Sequence, residues 1–201
     1  NRFRAENISV SIPSGALYDT LAFTYNREEG APQMHSNIHH VHDRYTPLHK
    51  ALSLSIKPSS IPAGKESKLL IVQLGDDQKK NPLNSTWVEG YVTADASAFG
   101  SFYIDIDTIP PVISPNGLTP GADLTGKKEM RIRITDELSG IKSYYPVIDS
   151  NWALFDYDQK NNVLIYKFDA KRIAKDSDHV LELEVIDNME NKSNYSCTFR
   201  W

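Results

Sequence analysis

Phe102-Tyr103-Ile104-Asp105-Ile106-Asp107-Thr108-Ile109-Pro110-Pro111 decides how this 201-residue chain is organised. Its first half sets Phe102, Ile104 and Ile106 at every second position, the period of a half-buried β-strand. Its second half closes on two prolines, which cannot donate to a strand ladder and which stiffen the chain in an extended form. A strand that runs into such a segment marks a domain boundary, so the chain divides into residues 1–107 and 108–201.

The same alternation recurs on both sides of that boundary. Upstream, Ile8, Val10 and Ile12 alternate with Ser9 and Ser11, Leu21, Phe23 and Tyr25 follow, and Leu52, Leu54 and Ile56 alternate with Ser53 and Ser55. Leu69–Leu74 is a nearly continuous apolar run, and Trp87–Thr93 leads into a sheet-like segment. Turn clusters separate them at Pro13-Ser14-Gly15, Pro58-Ser59-Ser60, Pro62-Ala63-Gly64, Asp76-Asp77 and Asn81-Pro82. Downstream, Met130, Ile132 and Ile134 oppose Arg131, Arg133 and Thr135. Trp152–Tyr157 and Val163–Phe168 flank a polar turn, and Leu181, Leu183 and Val185 alternate with Glu182 and Glu184. Ala170–Ala174 is the only helix-like candidate and is too short to persist as a helix.

The fold class is therefore all-β: two tandem β-sandwich domains, the second with the strand spacing of an immunoglobulin-like sandwich. Its core is expected from Trp152, Phe155, Tyr166, Phe168 and the aliphatic strand residues. The first carries a long irregular insertion over residues 26–50, and a loop of that length is usually functional or packs on its own contacts.

Composition excludes several classes. Basic and acidic residues number 22 and 26, and the imbalance is even: 10 against 12 before Thr108 and 12 against 14 from there on, −2 in each half. Neither half has the basic footprint of a nucleic-acid or anionic-lipid binder. No stretch approaches the run of about 18 apolar residues that a spanning helix needs, and Asn-Arg-Phe-Arg-Ala-Glu lacks a signal-peptide core. Beginning at Asn, the sequence reads as an excerpt whose export signal lies upstream. One cysteine, Cys197, excludes an internal disulfide, and its alternation with Tyr195, Phe199 and Trp201 makes it a buried strand residue.

Five of six histidines fall in the insertion: His35, His39, His40, His42 and His49. On an extended strand His40 and His42 share a side, within reach of one ion, with His35 or Asp43 as a third ligand. No acid/base motif accompanies them, and the competing reading has them hydrogen-bonding the backbone of an ordered loop, which Tyr45-Thr46-Pro47-Leu48 packs onto the first sandwich. His179, alone before a strand, reads as a surface residue. Carboxylates in Asp136-Glu137-Leu138-Ser139-Gly140 and Asp187-Asn188-Met189-Glu190-Asn191 fit Asx turns more simply than calcium ligation. Tyr144, Tyr145, Trp152 and Tyr157 are candidates for a sugar-stacking platform, with core packing the stronger reading for Trp152.

Several segments together carry a resemblance. Ser9-Val10-Ser11-Ile12-Pro13-Ser14-Gly15-Ala16-Leu17-Tyr18-Asp19, Val41-His42-Asp43-Arg44-Tyr45-Thr46-Pro47-Leu48-His49-Lys50 and Leu54-Ser55-Ile56-Lys57-Pro58 resemble the region after the catalytic domain of lysostaphin-like (LytM-like) zinc peptidoglycan endopeptidases of Gram-negative gut anaerobes. Asp107–Pro111, Leu138–Tyr144, Trp152–Asp158 and Asp187-Asn188 resemble the terminal immunoglobulin-like module of the same proteins, with Glu190 standing where that module's turn usually has Gly. The family's catalytic motif does not carry over: His39 and Asp43 have the spacing of its first half, but the only His-x-His, His40 to His42, lies inside that same pentapeptide. The resemblance implies a non-catalytic accessory piece without a cofactor, in the cell envelope or secreted. Its partners would be a catalytic domain N-terminal in the same polypeptide, peptidoglycan or a surface glycan. The rival expectations are a surface adhesion or glycan-binding protein and, from another class, a zinc hydrolase built on His35–His49.

Overall fold

The structure, a computed structural model, describes residues 1–75 and 77–201, so half of the expected Asp76-Asp77 turn lies outside the described residues. The chain forms two compact units, Asn1–Thr108 and Ile109–Trp201. In the first, the strands are β1 (Arg2–Ala5), β2 (Ile8–Ser11), β3 (Tyr25–Glu28), β4 (Ile38–Val41), β5 (Leu52–Ile56), β6 (Leu69–Leu74), β7 (Lys80–Pro82), β8 (Ser85–Val88), β9 (Tyr91–Ala96) and β10 (Gly100–Ile106). They make two five-stranded sheets, ordered β1-β2-β5-β9-β8 and β3-β4-β10-β6-β7. The inward positions of β2, β5 and β9 meet those of β4, β6 and β10: Ile8, Val10, Leu52, Leu54, Ile56 and Val92 pack with Val41, Leu69, Ile71, Phe102 and Ile104. Burying two apolar sheet faces against each other is what makes the pair a sandwich.

Four expectations for this unit need correction. Residues 26–50 are not an irregular insertion throughout, because β3 and β4 pair across it in the register Tyr25↔Val41 to Glu28↔Ile38 and join the second sheet beside β10. The alternation went unseen because a histidine, His39, occupies an inward position. Leu21 and Phe23 pack against the core without forming a strand. Strand β10 is central and buried on both faces, so Tyr103 and Asp105, outward by pattern, are 1% and 8% exposed. Tyr103 Oη and Lys80 Nζ both donate to Asp105 Oδ2, at 3.2 and 2.8 Å, which supplies the buried carboxylate with donors. Of the Tyr45–Leu48 segment, Leu48 packs on the core but Tyr45 is 76% exposed.

The second unit holds β11 (Val112–Ser114), β12 (Ala122–Asp123), β13 (Glu129–Thr135), β14 (Ile141–Ile148), β15 (Asn151–Trp152), β16 (Asp156–Asp158), β17 (Val163–Lys167), β18 (Asp178–Asp187) and β19 (Lys192–Arg200). Its sheets run β11-β13-β17-β16 and β12-β19-β18-β14-β15, antiparallel except for β12 with β19. Met130, Ile132, Ile134, Leu164 and Tyr166 from one meet Leu181, Leu183, Val185, Cys197 and Phe199 from the other. Among the described residues the chain's only helical segment is a 3-10 turn at Glu66–Lys68. Both units are thus β-sandwiches in tandem.

Here too the phase of the alternation corrects two expectations. Ala153 and Phe155 take the inward positions, so Trp152, expected in the core, is 56% exposed. His179 is buried, 3% exposed, with Nδ1 2.6 Å from Asp149 Oδ2 and Nε2 2.8 Å from the Ala174 carbonyl. Asp149 and Ser150 have φ of +51° and +63°, the two-residue turn that joins β14 to β15 with Ile148 opposite Asn151.

Candidate functional site

The histidines of β4 do not share a site. His40 lies on the outward side, Nδ1 2.8 Å from Ser101 Oγ and Nε2 3.2 Å from Glu28 Oε2. His42 has φ +53°, which takes it out of the strand's alternation. Its ring nitrogens lie 3.1 Å from Thr24 Oγ1 and 3.1 Å from Thr46 Oγ1, and its ring meets Phe99 edge-on at 5.1 Å. His35 Nδ1 is 3.1 Å from the Ser60 carbonyl, and Asp43 Oδ1 accepts the Tyr45 N–H at 3.1 Å. Among the described residues, no three ligand atoms from this segment converge within 4.8 Å.

Like His179, His39 is a histidine that sequence reasoning misjudged. It is fully buried, Nδ1 lies 2.9 Å from Tyr25 Oη, and Nε2 has no hydrogen-bond partner among the described residues. Burial, and then the positive charges of Arg27 and His40, pull its pKa down to about 4. The signal was present: Val41, two residues on, is an evident core residue and fixes His39 on the same side.

In the second unit the two acidic turns bring carboxylate oxygens of Asp136 and Asp187 within 4.8 Å of each other, and each carboxylate also accepts from its own turn. Asp187 is fully buried; its Oδ1 accepts the N–H groups of Met189 and Asn191 at 2.9 and 2.8 Å, and its Oδ2 accepts Asn191 Nδ2 at 2.7 Å. Asp136 Oδ1 accepts the Gly140 and Leu138 N–H groups at 2.6 and 3.2 Å. These are Asx-type turns. Glu190 has φ +61°, so the turn keeps the left-handed conformation that Gly would favour.

The four aromatic candidates divide between two faces. Tyr144 is half-buried, packs on the core and edge-on to Tyr157 at 5.7 Å, and donates its hydroxyl to the Phe155 carbonyl at 3.2 Å. Tyr157 is likewise packed on the core. Tyr145 and Trp152 point the other way, 57% and 56% exposed. Trp152 stands opposite Val147, and Tyr145 is two residues before Val147, so the two aromatics are diagonal neighbours on one face, with backbones roughly 7–8 Å apart. Next to them on β18, Glu182 stands opposite Val147 and Glu184 opposite Tyr145. Beyond these on β19 come Ser196 and Asn194. Each row therefore passes from apolar or aromatic to carboxylate to neutral polar.

This geometry defines a β-sandwich protein with an outward aromatic face and no assembled metal centre among the histidines of the insertion. The chain belongs to the Zu5-like domain family, whose model matches residues 1–107. A comparison with curated proteins finds no match. Among solved structures the chain is similar to the fibronectin(III)-like modules of Clostridium thermocellum CbhA, at 13% identity over 75% of this chain and 85% of that one, with a TM-score of 0.34. It is also similar to a three-immunoglobulin-domain stretch of titin, at 13% identity over 75% and 59%, with a TM-score of 0.28.

Proposed function

We propose that this chain is a non-catalytic binding module of a cell-envelope or secreted protein, and that it contacts a wall polymer or surface glycan through the face bearing Tyr145 and Trp152. The observation that carries this reading is the exposure of both aromatic side chains on one outward face of the sheet. Burying either ring in the interior would be favourable, so large aromatics left in water on adjacent strands are surface held for a partner, and sugar rings stack on such faces. A role in positioning a peptidoglycan hydrolase is what the sequence resemblance supports.

Co-sedimentation with purified sacculi and with insoluble polysaccharides tests the reading. The chain is expected in the pellet and Trp152→Ala in the supernatant, both equally stable; retention of Trp152→Ala on every polymer would overturn it. Incubation of sacculi with the chain and added zinc is expected to release no muropeptides. Chelator-sensitive release, lost on His40→Ala and His42→Ala, would instead establish a hydrolase.

A further inference from the structure

We propose that the face formed by Trp152, Tyr145, Glu182 and Glu184 selects glycans that carry free amino groups over their neutral, N-acetylated counterparts. This rests on the glycan reading above and adds the chemistry of the ligand. Glu182 is exposed and, among the described residues, its carboxylate has neither an ion-pair nor a hydrogen-bond partner. It stands opposite Val147, whose other neighbour is Trp152, and its own strand neighbour two residues back is Val180, 43% exposed. A carboxylate set among apolar and aromatic side chains keeps its charge uncompensated.

Glu184, opposite Tyr145, adds a second carboxylate that Lys192 meets only at 3.4 Å, both side chains being substantially exposed. An exposed pair of this kind is weak, and an incoming cation competes with it readily. Two carboxylates against the one lysine leave this part of the face with a net negative charge. Anionic polymers are repelled there, neutral sugars gain only ring stacking, and sugars with ammonium groups gain stacking, a charge-assisted bond to Glu182 or Glu184 and attraction to the Trp152 and Tyr145 ring faces. A glycan fits better than a basic peptide. The face is made of side chains on consecutive strands, and the rows end in Ser196 and Asn194, hydrogen-bonding groups suited to sugar hydroxyls.

The test is calorimetric titration of the chain with two hexameric glucosamine oligomers, fully N-acetylated and fully deacetylated, at a pH where the amines are protonated and at low and high salt. The deacetylated hexamer is expected to bind at least about tenfold more tightly at low salt, with the advantage shrinking at high salt. Glu182→Gln is expected to bring the two within about threefold, while Trp152→Ala weakens both. Equal binding, or tighter binding of the acetylated form, overturns the amino-group selectivity and leaves the glycan reading standing. Sacculi captured through Trp152 while neither hexamer binds overturns it likewise. No binding to any hexamer or polymer removes both. A lysine hexapeptide that matches the deacetylated oligomer in affinity overturns the inference in favour of a basic protein partner.

Discussion

His39 shows how one side chain ties the chemistry of the first unit to pH. Its folded-state pKa of about 4 lies below the ordinary 6.5, because the charged ring would be buried beside Arg27 and His40. The neutral form is the folded one. Its contribution is thus complete above pH 6.5 and is lost as pH falls from 6.5 towards 4, an amount of roughly 3 kcal/mol. Denaturant titrations of the first unit's transition between pH 7 and 4 are expected to show this fall, and His39→Gln to flatten it; an unchanged slope in the variant would place the titration elsewhere. At the opposite extreme, Trp152→Ala is expected to alter the second unit's stability by less than about 1 kcal/mol, since the residue is already more than half exposed. A larger loss on thermal unfolding would show that the buried part of the ring is structural.

At the scale of elements, β5 and the β18–β19 turn give opposite expectations. Leu54 is wholly buried in the central strand of its sheet, so Leu54→Ala is expected to cost about 2–5 kcal/mol. A loss under 1 kcal/mol in denaturant titration would mean that the two sheets close over the gap. Glu190 sits at φ +61°, where a side chain strains the backbone and Gly does not. Its ion pair with Lys142 is exposed and offsets little of that strain. Glu190→Gly is therefore expected to stabilise the second unit by up to about 1 kcal/mol, and a lowered melting temperature would show that the pair outweighs the strain. Legibility in the sequence also differs by element. β2, β5, β13 and β18 were readable from clean alternation. β3 and β4 were not, because a polar His39 in the inward row and a left-handed His42 at its end hide the period.

The whole molecule consists of two units with separate cores. Residues 109–201 contain both of their own sheets and the full Leu118-to-Trp201 core, so that fragment is expected to fold alone with a cooperative thermal transition. A fragment without dispersed amide resonances would refute this. What the sequence determined by itself is the all-β class, the division near the double proline and the burial of Cys197, because period-two alternation and proline stiffness are local properties that no partner strand has to supply. The tertiary structure decided which phase of an alternating segment faces inward. Trp152 or Ala153, His39 or His40, could each have taken the core, and pairing with β14 and β10 settled it. The candidate face has the same origin. Tyr145, Trp152 and Glu182 are distant in sequence or opposed in character, and they become neighbours only through the registers Val147↔Trp152 and Val147↔Glu182, because side chains on different strands meet only where the ladders set them opposite one another.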